Sequence, residues 1–120
     1  MRYIPLLVIT GLSLGYSPAQ TKPAAGETGV CSYYAQRHNG HITASGKKFN
    51  NSALTAAHRT YPMGTKLKLT NISNGKTVDV VVNDRGPFVK GRDISVTRHA
   101  AQQLGFIKQG FTTVRIEQVQ

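Results

Sequence analysis

The stretch Val80-Val81-Val82-Asn83-Asp84-Arg85-Gly86-Pro87-Phe88 runs from three β-branched residues into a carboxylate, a guanidinium and a Gly-Pro break. Its apolar part predicts a buried strand, and the Gly-Pro pair stops that strand. Asp84 and Arg85 are thereby held at the rim of a sheet, at the end of a rigid element. Upstream, Asn74-Gly75 predicts a tight hairpin turn, because both central positions tolerate positive φ. Lys66-Leu67-Lys68-Leu69-Thr70 alternates polar and apolar residues, as a half-buried strand does. It pairs across that turn with the strand from Thr77 to Asn83.

Farther out, Val30 to Tyr34 reads as a first strand, with Tyr33 and Tyr34 on opposite faces. Leu54-Thr55-Ala56-Ala57-His58 is a short apolar strand, and Tyr61-Pro62-Met63-Gly64 carries turn chemistry. The segment from His38 to Phe49, rich in Gly, Asn, Thr and Ser, reads as a loop. After Arg92 the period changes. Ser95 or Thr97 caps a helix whose Ala100, Ala101 and Leu104 share a face, and Gly105 ends it. Gly110 to Val119 returns as a strand. Many short strands with turn signals and one short helix indicate a small, mainly β protein closed into a barrel.

At the N-terminus, Met1-Arg2 is followed by a mostly apolar segment to Leu14 and by the small residues of Ser17-Pro18-Ala19. This pattern predicts a signal peptide over residues 1–19. The apolar segment falls short of the roughly 20 residues that span a bilayer, so no transmembrane anchor is expected. Residues 20–27 read as a linker, and residues 28–120 as one small domain. The expectation is an exported protein of the periplasm or cell envelope. Cys31 has no partner for an internal disulfide, which leaves a free buried thiol or a link to another chain. No Cys/His cluster has zinc spacing, and neither a metal nor a cofactor is expected.

The formal net charge is +10, and +9 from Gln20 onward, because Arg2 is the only charged residue before it. A positive field of this size gathers anionic partners. The basic residues are scattered, as Lys66/Lys68, Lys90/Arg92 and Arg98, with no nucleic-acid motif, so an anionic envelope polymer is the more economical partner.

Five carboxylate side chains exist: Glu27, Asp79, Asp84, Asp93 and Glu117. Asp84 is the first candidate for acid–base chemistry, or else it forms a pair with Arg85 that fixes the turn before Pro87. His58 closes an apolar strand, where a histidine is more often structural than catalytic. Tyr33 and Tyr34 serve either as a sugar-stacking surface or as one core and one surface ring. Thr43-Ala44-Ser45-Gly46 either lines a groove with hydroxyls or is an ordinary loop. Glycosidases of the common kind need two carboxylates, about 5 Å or about 6.5–9.5 Å apart. Only Asp93 could accompany Asp84, so the scarcity of acids argues for a reaction that needs one.

Taken together, Ser32-Tyr33-Tyr34, Thr43-Ala44-Ser45-Gly46, Leu54-Thr55-Ala56-Ala57-His58, Pro62-Met63-Gly64-Thr65, Asn71, Asn74-Gly75-Lys76 and Asn83-Asp84-Arg85-Gly86-Pro87-Phe88 resemble the rare lipoprotein A family. The resemblance covers the chain from Gly29 to Val119. It implies a six-stranded double-psi β-barrel with one short helix, and a septal-ring lytic transglycosylase acting on peptidoglycan glycan strands; separately, the chain is expected to act as a monomer. Such an enzyme cleaves the β-1,4 bond between N-acetylmuramic acid and N-acetylglucosamine without water, leaving 1,6-anhydro ends. The same resemblance makes Asp84 the catalytic acid/base and His58 its active-site companion, with Tyr34, Ser45, Arg85 and Lys47 as substrate-groove residues. Two departures stand out. Lys47-Lys48-Phe49-Asn50 replaces the family's Glu-x-Phe-Asp, and Ser95 falls where an ungapped alignment puts a family aspartate.

The alternative that the charge supports is a wall-binding or wall-loosening module of the same fold without turnover. Such a module is expected to sediment with purified wall material and to be released steeply as salt rises, because long-range charge attraction is screened.

Overall fold

The computed structural model describes residues 26–34 and 39–119. The expected signal peptide, residues 20–25 of the expected linker and His38 lie outside the described residues. Among the described residues, six strands and one helix follow in chain order: β1 (Glu27–Tyr33), β2 (Thr55–His58), β3 (Lys66–Asn71), β4 (Thr77–Asp84), β5 (Ile94–Val96), α1 (Arg98–Leu104) and β6 (Phe111–Gln118). Glu27, assigned by composition to the linker, is the first residue of β1.

The strands close into a barrel in the order β1-β5-β2-β4-β3-β6. The β1–β5 and β2–β4 pairs are parallel and the other four antiparallel. The chain thus makes two parallel crossovers within a mostly antiparallel wall. β4 does not bury all its apolar residues: Val78, Val80 and Val82 point into the core, whereas Val81 is half-buried and Asp79 exposed. A barrel wall has one inner face, so even this Val run obeys the period of two. Leu67 and Leu69 of the neighbouring β3 and Val114 and Ile116 of β6, the next strand round, fill the same interior, with Leu104 and Phe106 in the same core cluster.

β5 is the strand that the sequence reading missed. Ile94-Ser95-Val96 is too short for periodicity to reveal, yet all three residues are buried. It lies parallel to β1 through Cys31↔Ile94 and Ser32↔Ser95, and antiparallel to β2 through Ala57↔Ser95. Ser95 is therefore a strand residue, and Thr97 is the helix cap. Its side chain accepts the Ala100 amide, and Gly105 ends the helix at φ 77°.

The β3–β4 connection also differs from expectation. It is a wider loop than a two-residue turn, closed by the Asn71 amide donating to the Lys76 carbonyl at 2.8 Å. The cause is side-chain capture of backbone amides: Asn71 Oδ1 accepts from Ser73 N, and Asn74 Oδ1 from Lys76 N. Asn71 is buried, and its Nδ2 donates to the Leu104 carbonyl at 2.8 Å while Thr112 Oγ1 donates to its Oδ1. One side chain thus joins the loop, the helix end and β6. Cys31 is fully buried as a free thiol, and burial pushes it up to about 12.

Replacing Asn71 by Ala leaves those buried partners unsatisfied. Asn71→Ala is expected to lower stability by about 1–3 kcal/mol, read from urea unfolding midpoints, with the far-UV spectrum of the folded state unchanged.

Candidate functional site

Asp84 is the last residue of β4. A register shift in β2 between Ala56 and Ala57 sets Ala57 opposite Asp84. Irregularities of this kind re-aim the strand end beside them. Asp84 is half-buried, and both carboxylate oxygens are engaged. Oδ2 accepts the Tyr34 hydroxyl at 2.9 Å, and Oδ1 accepts the amides of Ala44 and Arg85, each at 2.9 Å. Donors from three separate segments converge on one carboxyl group. Burial, and then the bond to Asp84, push the Tyr34 phenol well above its ordinary range, so it remains a donor at every physiological pH.

The segment from His38 to Phe49, read as a loop, has an ordered form in its described part. Ile42 and Lys48 form an isolated bridge, and the Gly40 amide donates to the Phe49 carbonyl. The tip is fastened to β4 by Ser45 N donating to Asn83 O at 3.1 Å, alongside the Ala44–Asp84 bond. Phe49 is buried against Tyr34, with ring centroids 4.3 Å apart. Tyr33, the other face of the pair, goes to the core: its hydroxyl donates to Ile107 O and its ring meets Phe106 edge-on. Of the two roles open to the tyrosines, one ring is core and the other belongs to the Asp84 site.

Asp84 opens onto a groove of about 550 Å³. Its wall includes Tyr34, Arg85, Phe88, Val89 and Arg92, with Ser32, Ala57 and Ser95 from three adjacent strands. Asp84 is the only one of the five carboxylates among the lining residues. Asp93 is turned elsewhere, its oxygens held by the Val30 amide at 2.8 Å and by Arg59 Nη2 at 3.3 Å. Phe88 is 80% exposed at the rim, which forgoes about 1.5–3 kcal/mol of possible burial.

The structure brings Asp84, Tyr34 and Arg85 together in this groove. His58, Ser45 and Lys47 are not among its lining residues. Arg85 does not form an ion pair with Asp84. Its guanidinium turns away, Nη1 donating to the carbonyls of His58 at 3.1 Å and Tyr61 at 2.7 Å. Lys47 enters through its backbone carbonyl, which accepts from Thr43 N and Oγ1, while its side chain is exposed. Ser45 Oγ lies 2.8 Å from Thr43 Oγ1.

His58 is buried at the end of β2 with its ring 4.4 Å from that of Tyr61. Its Nδ1 accepts the amides of Thr60 at 3.1 Å and Tyr61 at 3.2 Å, which assigns the ring proton to Nε2. The Ala44 amide, the Phe49 contact and the rim of Phe88, Val89 and Arg92 were absent from the sequence reading. Only Phe88, next to Asp84 after a Gly-Pro break, carried a local signal.

Comparison with known proteins follows the same line. A family model described as "Lytic transglycolase" matches residues 26–116. The endolytic peptidoglycan transglycosylase RlpA of Neisseria meningitidis is 44% identical over 104 residues, 87% of this chain and 44% of that protein. Its namesakes in Campylobacter jejuni and Rickettsia felis are each 48% identical, over 81% and 85% of this chain and 36% and 46% of theirs. The chain therefore spans less than half the length of these relatives. Among solved structures, the Streptomyces papain inhibitor superposes with a TM-score of 0.59 at 23% identity, covering 75% of this chain and 92% of that one. Cerato-platanin 3 from M. perniciosa superposes at 0.60 and 19% identity, covering 78% and 95%; both likenesses concern the fold alone. The protein is a double-psi β-barrel with a single-carboxylate groove. It belongs to the lytic transglycolase family.

Burial holds the His58 imidazole below its ordinary value of 6.5; Arg59 and Arg85 act in the same direction, and Glu27 and Asp93 oppose it. The unfolded chain then takes up a proton before the folded one does. Stability should be fully present above the ordinary value and fall as pH drops through it. Urea midpoints measured at about pH 7.5 and about pH 5 should show this loss, and His58→Gln should flatten it.

Proposed function

We propose that this chain is the catalytic domain of an exported lytic transglycosylase. It cleaves the β-1,4 bond between N-acetylmuramic acid and N-acetylglucosamine in peptidoglycan glycan strands and leaves 1,6-anhydro ends. The observation that carries the proposal is the solitary carboxylate: Asp84 is the one acidic side chain lining an open groove. A hydrolase of the common kind needs a second carboxylate across the bond, either as nucleophile or to activate water. An intramolecular transfer does not, because the sugar supplies its own nucleophile.

In the first half of the reaction the Asp84 carboxyl gives its proton to the glycosidic oxygen as the bond from C1 to that oxygen breaks. In the second half the carboxylate removes the proton of the muramic C6 hydroxyl while O6 bonds to C1. The proton count closes, water is not consumed, and Asp84 is restored. One group acts as acid and then as base, as general acid–base catalysis allows when it reaches both oxygens.

The surrounding residues serve this cycle by fixing the carboxyl group. Tyr34 donates to Oδ2 and the amides of Ala44 and Arg85 donate to Oδ1, so the group does not rotate between steps. Arg85 braces the site through the backbone of His58 and Tyr61. His58, a neutral ring with its proton on Nε2, stands behind the groove and fixes the turn at Thr60 and Tyr61; its assigned part is to orient the substrate through that wall. Ser45 holds the 42–48 segment in place, and Lys47 offers a cation near its tip. The net positive charge of the chain favours approach to an anionic envelope.

Asp84→Asn keeps the hydrogen-bond acceptor on one side and removes the acid. With peptide-free glycan strands the wild type should release anhydro-muramyl fragments, identified by mass spectrometry. Asp84→Asn should release none while unfolding at a similar temperature. Hydrated reducing ends from the wild type would overturn the transglycosylase, and unchanged product from Asp84→Asn would remove this residue from the chemistry.

A further inference from the structure

Arg59 ends no strand and lines no part of the groove, yet it makes three bonds to one short segment. Its Nη1 donates to the carbonyls of Pro87 and Arg92, both at 2.7 Å. Its Nη2 pairs with Asp93 Oδ1 at 3.3 Å. The two ends of the 87–92 segment are thus gripped by a single guanidinium, whose planar fork suits such paired acceptors. Asp93 anchors the grip to the barrel, since its other oxygen accepts the Val30 amide of β1. Within the segment the Arg92 amide donates to the Val89 carbonyl at 3.1 Å, with Gly91 in the left-handed region at φ 86°.

Besides Lys90, this bracing presents two apolar side chains to solvent. Phe88 is 80% exposed and Val89 61% exposed, and both line the groove that contains Asp84. Phe111, 53% exposed, differs in having the Arg92 guanidinium over its ring at 5.7 Å. An aromatic ring held open beside a carboxylate contributes nothing to the core. Its flat face suits the apolar C–H face of a pyranose, as aromatic surfaces suit other flat ligands with an apolar body and a polar edge.

We propose that the 87–92 segment is a sugar-stacking subsite of the groove, in which the Phe88 ring packs on one pyranose of the bound glycan. Arg59 is its positioning residue: it touches no sugar and fixes the angle at which Phe88 meets it. The subsite rests on the glycan reading given above, but it concerns binding, and binding can be measured without turnover.

The test uses peptide-free glycan strands and the Asp84→Asn protein, titrated calorimetrically. Adding Phe88→Ala should weaken binding about tenfold, the scale of one aromatic contact, whereas Phe88→Tyr should hold it within about twofold. Arg59→Ala should weaken binding to a similar extent and Arg59→Lys less. The Arg59→Ala/Phe88→Ala pair should be no weaker than Phe88→Ala alone, because Arg59 acts through that ring. A purely structural role for Arg59 would instead lower the unfolding midpoint and add to Phe88→Ala. Unchanged affinity in Phe88→Ala overturns the subsite, even if the wild type makes anhydro fragments. Lost affinity in Phe88→Ala with no fragments from the wild type supports the subsite and overturns the catalytic reading alone.

Discussion

Closure of the barrel depends on β1. It pairs antiparallel with β6, from Glu27↔Ile116 to Ser32↔Phe111, and parallel with β5 through residues 31–33. Remove it and both β5 and β6 become open edges, with unpaired amides and carbonyls exposed to water and to other chains. Ser32 near its end and Tyr34 just past it also line the groove. The strand that seals the sheet therefore delivers Tyr34 to the carboxylate, and stability and site geometry share one element.

That economy recurs around Asp84. Its carboxyl group is a junction for Tyr34, the 42–48 segment and its own following amide. A second layer lies behind it, where Arg85 grips the carbonyls of His58 and Tyr61 and the His58 ring accepts two amides of the turn that follows. Neutral His58 suits this buried post, because a charged imidazole could not accept those amides. The groove is thus built on bonds to backbone atoms, whose positions the barrel sets. Surface ion pairs contribute little here, since the pair between Arg59 and Asp93 is about half exposed on each side and such pairs are weak in isolation.

Much of this was legible in the residues. The alternation in Lys66–Thr70, a helix capped at Ser95 or Thr97 and ended by Gly105, and the strand that stops at Asp84 all follow from local chemistry; the structure has each of them, with Thr97 as the cap. β5 was not legible, because three residues carry no period and Ser95 read equally well as a helix cap. The Asn74-Gly75 turn was misjudged in width, because Asn71 and Asn74 side chains compete for amides that a two-residue turn would leave to the strands. Within the site, Asp84 and Tyr34 could be read from strand ends. The Ala44 amide could not, since a backbone donor has no residue type to betray it. Neither could the turning away of Arg85, which depends on where the Tyr61 carbonyl falls in space.

Cys31 has a further consequence. Its thiol sits at the middle of the sealing strand, fully buried, and is pushed up to about 12. Exchange with a disulfide requires a thiolate that can reach the attacking geometry, and this sulfur offers neither. Once folded, the chain keeps its one thiol out of disulfide exchange, and the strand that seals the barrel is shielded from that chemistry.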